Sequence, residues 1–431
     1  MLNLTPENKA LCFQDSVEKP VTIAIYEQTS GSDPLLPDTT YFKITETIKG
    51  EQIISESMKF DEGIIDSSKF EFGTYVLPQL QISWQYTGKR FLNKYCTVYQ
   101  NIGTQWVEYM SGFITKETVS GDRQTVNATI ECATAQRLDT NLAYLYNQHT
   151  VGEKITMLDF LQLVVTSGAI FIDLNDLKAK YPIVEKANFK IRNNVSQMLL
   201  SDFLKFVGEL TGSHIRIQKR AFSDEQDILS RTFFFPTDTL SFVRTDNNVE
   251  YIYPSSSTYP STTTYPLMTA DTVISNPTYN LPYCINLEYD DYPQEPYKRY
   301  DVKLWCVQES NEFEKTQTVY PVIGEDNAVD TSLVPAYTFD MTTCDKAFAD
   351  LYWSTGVSFL LYVHNTIYPY LINAKYVLAN LEYTYAPFLE PGDNVIATTA
   401  SGKTMLIPIL SSSASGINAL RGTIRSETTA N

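Results

Sequence analysis

The sequence is poor in the residues on which most enzymes and metal proteins depend. Its three histidines, His149, His214 and His364, stand far apart in 431 residues, with no HExxH and no closely spaced histidine pair. Such a set does not make a zinc site. The six cysteines, Cys12, Cys96, Cys132, Cys284, Cys306 and Cys344, include no CxxC pair, and scattered in this way they read as free thiols of a chain folded under reducing conditions. No GxSxG elbow, Walker loop or GxGxxG occurs, which removes the best-defined hydrolase, phosphate and dinucleotide signatures. No apolar run approaches the ~20 residues that span a bilayer; the longest, 158–174, is interrupted by Asp159, Gln162, Thr166, Ser167 and Gly168. The opening MLNLTPENKALCFQDSVEKP lacks the basic and apolar regions of a signal peptide. The expectation is a soluble, non-secreted chain without a membrane anchor. Positive charge is also scarce. Lys and Arg total 33 against 50 Asp and Glu, a net charge of −17, and that balance excludes a grip on nucleic acid through clustered basic residues.

Acidic and aromatic residues are plentiful. A glycosidase pair can be drawn from Asp61, Glu62, Glu71, Glu108, Asp290, Asp291 and Glu295, but such a pair is defined by its separation across a cleft rather than by spacing in sequence. EDNAVDTS (325–332) has the composition of a calcium loop without its DxDxDG order, and reads as a solvated loop. No catalytic residue, cofactor or metal is expected. The 29 Tyr and 22 Phe favour strands and large contact surfaces.

The length predicts several domains, since single cores rarely grow past roughly 250–300 residues. Residues 1–148 are strand-like almost throughout. VTIAIYEQ (21–28) and YFKITETI (41–48) alternate, FEFGTYVLPQLQISWQY (70–86) holds two strand-like pieces around Val76-Leu77-Pro78, Gly112 suggests a bulge, and Ser120-Gly121-Asp122 a hairpin turn. Over 149–235 the texture changes. Thr156 caps a helix ending near Gly168, and a second helix, with Ser196 as its cap and Leu199, Leu200, Phe203, Phe206, Val207 and Leu210 as its apolar face, stops at Gly212 before the strand HIRIQK. This is a small α/β subdomain. Residues 236–372 return to strands, and DKAFADLYWSTGVSFLLYVHNTIYPYL (345–371) has room for a helix and a strand, with His364 as a strand histidine. Within 251–282 Tyr-Pro recurs as Tyr253-Pro254, Tyr259-Pro260 and Tyr265-Pro266 among Ser and Thr. Proline bars a central strand, so this is an exposed insert. A surface loop and an extended inter-subunit arm on a neighbouring copy both fit. Residues 373–431 close the chain with FLEPGDNVIATTASGKTMLIPIL (388–410), two strands around Gly402 after a Pro391-Gly392-Asp393 turn. The fold class is therefore mainly β with a small α/β subdomain, two β-barrel-like modules flanking the α/β and β insert domains.

Three stretches carry a family resemblance: IISESMKFDEGIIDSSKFEFGTYVLPQLQISWQY (53–86) with its Phe-Gly turn at Gly73, WVEYMSGFITKETVSGDRQTVNATIECATAQRLD (106–139), and LEYTYAPFLEPGDNVIATTASGKTMLIPILSSSASGINALRGTIRSE (381–427). In order and spacing they resemble the tail-tip, or baseplate, hub proteins of tailed bacteriophages and prophages. Together they cover about half of the chain, and the Tyr-Pro insert is outside the pattern. The resemblance implies a non-enzymatic virion protein located at the tail tip and assembled in the host cytoplasm. It implies a homotrimer in which two barrels per subunit form a pseudo-sixfold ring, adapting a sixfold tail to a threefold tip. Implied partners are a distal tail protein ring, a tape-measure protein and other tail-tip, fibre or receptor-binding proteins, with DNA only passing through the channel. Many members continue into a hydrolase or adhesin, whereas this sequence stops at Asn431; lysis and receptor binding are then expected of other proteins. A carbohydrate-binding adhesin and a tip-associated cell-wall hydrolase are the alternatives, the first suggested by the aromatic residues.

Overall fold

Alternation in the first segment becomes seven strands: β1 (Val21–Ser30), β2 (Thr40–Ile48), β3 (Lys59–Gly63), β4 (Val76–Gln85), β5 (Tyr95–Ile102), β6 (Gln105–Val119) and β7 (Thr125–Cys132), preceded by the short helix α1 (Pro6–Cys12). The computed structural model describes residues 2–14, 17–30, 40–54, 56–65, 71–192, 195–233, 238–244, 276–281, 284–289, 299–308, 311–319, 336–344, 347–348, 363, 367, 376–398, 402, 404–416 and 421–429. Strand β4 shows why the pattern folds as it does. Leu80, Ile82 and Trp84 turn inward while Gln81 and Gln85 stay exposed, and each large apolar side chain buried in this way contributes about 1.5–3 kcal/mol. The expected two pieces around Pro78 are one strand. Glu71–Tyr75 is a turn, and Pro78 lies where the register slips between Asp61 and Gly63 of β3, before pairing with β7 begins at Gln79. A bulge is one of the few places in a sheet that tolerates the missing N–H.

Gly112 also departs from expectation. The ladders run through it regularly, opposite Cys96 and Cys132, and the slips in β6 fall at Tyr109 and Thr115. Its lack of a side chain answers a different demand. A Cβ there would lie 1.9 Å from the Glu131 carbonyl oxygen.

The central segment contains α2 (Ala143–Tyr146), β8 (Lys154–Thr156), α3 (Met157–Thr166), β9 (Phe171–Ile172), α4 (Leu174–Lys180), α5 (Ile183–Lys186), β10 (Asn188–Lys190), α6 (Leu200–Thr211), β11 (His214–Ile217), β12 (Arg220–Phe222), α7 (Glu225–Leu229), β13 (Thr232–Phe233) and β14 (Thr239–Val243). Thr156 caps α3 in a reciprocal box with Asp159. Helix α6 begins at Leu200 without a side-chain cap, so Ser196 does not take the role expected of it, and the helix ends at Gly212 with φ +62°. Further strands are β15 (Thr278–Asn280), β16 (Cys284–Tyr289), β17 (Arg299–Gln308), β18 (Asn311–Val319) and β19 (Ala336–Asp340). The last segment supplies β20 (Tyr376–Thr384), β21 (Asn394–Thr398), β22 (Thr404–Pro408), β23 (Ser411–Ser415) and β24 (Arg421–Thr429).

The topology joins the two ends of the chain. One 13-stranded sheet runs β13-β2-β1-β5-β6-β7-β4-β3-β23-β24-β20-β16, with β12 added on β6. The junction is β3 against β23, antiparallel, from Ser411 opposite Gly63 to Ser415 opposite Lys59. Strands β21 and β22 form the hairpin expected around Gly402, and β15 adds to it in parallel. Two large cores follow this arrangement. One gathers residues of β1–β7 with Leu381, Tyr383, Phe388, Leu389, Val395, Ile407 and Ile409. The other gathers α2–α6 with Phe72, Leu240, Phe242, Tyr337 and Phe339. The Tyr-Pro repeats, the 325–332 loop, His364 and nearly all of 345–371 lie outside the described residues.

Candidate functional site: a buried ionic joint

The Glu390-Pro391-Gly392-Asp393 stretch links β20 to β21 as a tight turn. Asp393 N donates to the Glu390 carbonyl at 3.0 Å, and Gly392 has φ +94°. That bond, with proline second and positive φ third, defines a type II turn. Gly392 N donates to Ile409 O at 2.7 Å and Ile409 N to Asp393 O at 2.8 Å, which ties the turn to the end of the hairpin. A Cβ on Gly392 would stand 2.8 Å from Val243 Cγ2, so β14 packs directly over the turn.

Two cations of the central segment reach into this place. Arg216, on β11 opposite Ser241, donates from Nη1 to the Pro391 carbonyl at 2.8 Å and to Asp393 Oδ1 at 2.9 Å, while its Nη2 lies 3.6 Å from Glu390 Oε2. Its Nε donates to Ser241 Oγ at 3.3 Å. Lys219 uses both ends. Its backbone N–H donates to Glu390 Oε1 at 3.0 Å, and its Nζ meets Glu62 Oε1 of β3 at 2.5 Å, Tyr385 Oη at 3.1 Å and the Pro387 carbonyl at 3.4 Å. The ammonium also lies 5.1 Å from the Phe60 ring centre and 5.7 Å from that of Tyr385, within cation–π range. Ser412 Oγ of β23 donates to Glu62 Oε1 at 3.1 Å. Residues from the N-terminal sheet, the central segment and the C-terminal unit thus share one buried network.

Burial governs its electrostatics. It raises the Glu62 carboxyl above its usual range against the pull of Lys219, and raises Asp393 to about 6 against Arg216, with the charge of Glu390 adding to the rise. Burial works against the charged form of Arg216, but the surrounding carboxylates outweigh it and hold the guanidinium charged.

Other buried polar groups are fastened individually. Asp238 accepts from the Thr134 N–H at 2.7 Å and its hydroxyl at 2.8 Å, and burial lifts its carboxyl to about 6. Glu209 accepts from Tyr337 Oη at 3.2 Å, and that hydroxyl accepts from Phe72 N at 2.7 Å. His214 is lowered to about 3 by burial and by Arg244, and lies 3.2 Å from Thr74 Oγ1. The free thiols of Cys12, Cys96, Cys132 and Cys344 are buried and pushed up by that burial, Cys12 to about 12. None of these is an activated nucleophile beside a base. Of the carboxylates considered for a glycosidase pair, Glu62 is bound to Lys219, Glu108 is bound to Arg231 and Asp61 is exposed; Asp290, Asp291 and Glu295 are outside the described residues. Among the described residues no group of three or more His, Cys, Asp or Glu is placed to hold a metal, and no helix is long and apolar enough to cross a membrane. A cavity of about 10 Å³ beside Tyr75, Leu204, Ile215 and Leu240 has room for about one water.

Of the turn residues drawn from the sequence, Pro391, Gly392 and Asp393 meet in the joint. Gly73 lies beside α6, Gly112 in mid-sheet and Gly402 at the open tip of the β21–β22 hairpin. Tyr253, Pro254, Tyr259, Pro260, Tyr265 and Pro266 are outside the described residues. Sequence reasoning missed Arg216, Lys219 and Glu390, and took Glu62 only as one of several carboxylates for a glycosidase pair. A signal existed for Glu62. In MKFDEGII it shares a face with Met58, Phe60 and Ile64, an inward position held by a carboxylate.

No family model and no curated protein matches the chain. Solved structures similar to it are phage and prophage tail proteins and a secretion component. A tail protein from Neisseria meningitidis MC58 has 9% identity and a TM-score of 0.43, covering 95% of this chain and 96% of that one. The 43 kDa tail protein of prophage MuSo2 from Shewanella oneidensis has 10% identity and a TM-score of 0.43, covering 96% and 98%. An Escherichia coli component of the type VI secretion system, itself similar to bacteriophage T4 tail proteins gp27 and gp5, has 10% identity and a TM-score of 0.38, covering 88% and 75%.

Proposed function

We propose that this chain is a structural protein of a phage tail, and that it serves as the trimeric hub of the tail tip. One observation carries the reading. The three stretches that resemble hub proteins, although widely separated in sequence, contribute seven consecutive neighbours of a single sheet, β6-β7-β4-β3-β23-β24-β20, with β21 and β22 of the third in a smaller sheet beside it. A resemblance arising by chance has no reason to assemble into one contiguous surface. The buried joint then fixes the C-terminal unit against the rest, so that the two β modules of a ring subunit keep one relative position. In this reading two β modules per subunit alternate around a threefold axis and match a sixfold tail tube. The distal tail protein ring, the tape-measure protein and further tip or receptor-binding proteins are its neighbours, and DNA passes through the centre. The net charge of −17 suits a lumen that does not hold DNA. The adhesin alternative loses ground because Trp84, Tyr95, Tyr99, Tyr109 and Tyr383 are buried, where they cannot stack on sugars.

Mass by light scattering on the purified chain, followed by negative-stain class averages, tests the proposal. A trimeric ring with a central opening is expected. A monomer at every concentration shifts weight to the adhesin and hydrolase alternatives, and saturable binding on a glycan array then overturns the hub reading.

A further inference from the structure

The joint carries more negative than positive charge. Glu62, Glu390 and Asp393 are 4%, 1% and 1% exposed, and the cations against them are Arg216 at 8% and Lys219 at 5%. Lys219 commits its ammonium to Glu62 at 2.5 Å. Among the described residues Arg216 alone is left to neutralise both Glu390 and Asp393, at 3.6 and 2.9 Å. Those two carboxylates belong to one four-residue turn, and the Glu390 N–H donates to Asp393 Oδ2 at 3.3 Å, so they cannot separate without opening the turn. A buried carboxylate without its own counter-charge is strongly disfavoured and is relieved by binding a proton.

We propose that Asp393, held against Glu390 in the turn, takes up one proton on mild acidification, and that this uptake tightens the joint between the C-terminal unit and the central segment. Its effect runs opposite to that of an ordinary surface ion pair, which acid breaks. Beyond the Lys219 N–H on Glu390 Oε1 at 3.0 Å, the groups facing the pair supply no further cation among the described residues. From β11 and the residues after it come Arg216 and Lys219; β3 supplies Glu62, already bound to Lys219. Arg244, following β14, donates instead to the Gly212 and Thr211 carbonyls, and Ser241 of β14 accepts from Arg216. Tyr279 of β15 is a neutral phenol whose ionisation is pushed up to about 12 by burial and by Asp393 and Glu390. Lys9 of α1 lies over the Tyr279 and Phe388 rings, 5.2 and 5.5 Å from their centres. Tyr385, beyond β20, donates to Glu62 at 3.4 Å.

The direction follows from linkage. Burial places the Asp393 carboxyl near 6, above the ordinary 3.8. Between those values the closed joint binds more protons than the open one, so its stability is full below about 4, falls as pH rises, and levels off above about 6. The inference goes beyond the hub reading and does not depend on it.

Amide hydrogen exchange over residues 388–410 of the full-length chain, corrected for the intrinsic rate, reads the opening of the joint directly. In the wild type the opening constant is expected to rise on the order of tenfold per pH unit between pH 4.5 and 6 and then flatten. In Asp393→Asn, which keeps an acceptor and discards the charge, it is expected to be flat, and no larger than the wild-type value at pH 7.5. Should that variant not fold, Glu390→Gln removes the like charge and is expected to flatten the same curve. A wild-type opening constant that falls as pH rises, or a folded variant that retains the wild-type curve, overturns the proposal.

Discussion

Replacing Lys219 with methionine keeps most of the side chain's volume and removes its charge from the centre of the joint. Glu62 would then keep Ser412 and Tyr385 as donors, at 3.1 and 3.4 Å, and lose the ammonium at 2.5 Å. Removing one partner of a buried ion pair costs about 3–5 kcal/mol, because the other charge is left uncompensated. The cost has a ceiling. Protonating a carboxyl of ordinary pKa near 4.3 at pH 7 costs about 4 kcal/mol, and burial already favours protonation of Glu62. The expected loss for Lys219→Met is therefore about 3–4 kcal/mol at pH 7.5, shrinking by up to about 1.4 kcal/mol for each pH unit lowered. The double variant Lys219→Met/Glu62→Leu removes both charges, and apolar replacement of a whole buried pair is often near neutral. It is expected to recover more than half of the loss, the remainder reflecting the donors left by Ser412 and Tyr385. Guanidinium unfolding of wild type, both single variants and the double variant, at pH 7.5 and 5.5, closes the cycle. The reasoning fails if Lys219→Met stays within about 1 kcal/mol of wild type at both pH values, below the range expected for a broken buried pair, or if the two single losses simply add.

Three further outcomes follow from the geometry. Gly112→Ala sets a methyl group 1.9 Å from the Glu131 carbonyl oxygen; because backbone must move to relieve it, a loss of about 3 kcal/mol or more is expected, read as a lowered unfolding midpoint. Exchanging residues 246–274 for a short Gly-Ser linker is expected to leave the melting temperature unchanged, since Asn276 Nδ2 already donates to the Arg244 carbonyl and holds the two ends together; an unfolded product would show that the insert belongs to a core. Asp238, lifted by burial to about 6, binds its proton more tightly folded than unfolded, so it withdraws up to about 3 kcal/mol as pH rises from about 4 to 6. In Asp238→Asn the pH-dependence of the midpoint over that window should flatten by this amount, and an unchanged slope refutes the assignment.

The legible part of the fold was the part set by local chemistry. Val21–Gln28 and Tyr41–Ile48 alternate and are strands; Thr156 marks the start of α3; Gly212 marks the end of α6. What stayed hidden depends on partners distant in sequence. Gly112 looked like a bulge because the sequence does not show that the Glu131 backbone passes over it. Pro78 looked like a break because the slip that admits it is a property of β3 and β4 together. In HIRIQK the alternation is real, yet the polar face is buried as well, His214 against Thr74 and Arg216 against the 390–393 turn. A period of two cannot distinguish a strand with one wet face from one whose polar side is a buried network. The turn at Pro391–Asp393 was readable as a turn, but its role as an anchor was not, because Arg216 lies 175 positions away.

That separation has a consequence for how the chain can fold. Strand β3 is five residues long and, beyond β4, finds its second neighbour only in β23; Ser412 and Glu62 of the pair are 350 positions apart. Contacts so distant pay a large loop-closure cost before they form. Until then β3 is an open edge beside an apolar face that in the finished molecule is covered by Leu381, Tyr383, Phe388, Leu389, Ile407 and Ile409. Open edges beside apolar surface pair with other chains. A fragment of residues 1–148 also leaves Glu62 without Lys219, Tyr385 and Ser412. Expressed alone, it is expected to be insoluble or to form mixed oligomers, and co-expression with residues 149–431, which restores β23, Lys219 and the whole of the second core, is expected to recover soluble material. A soluble, monomeric 1–148 fragment with a cooperative unfolding transition would show that the first module closes by itself, and that the β3–β23 ladder is a late attachment to a finished domain rather than part of its core.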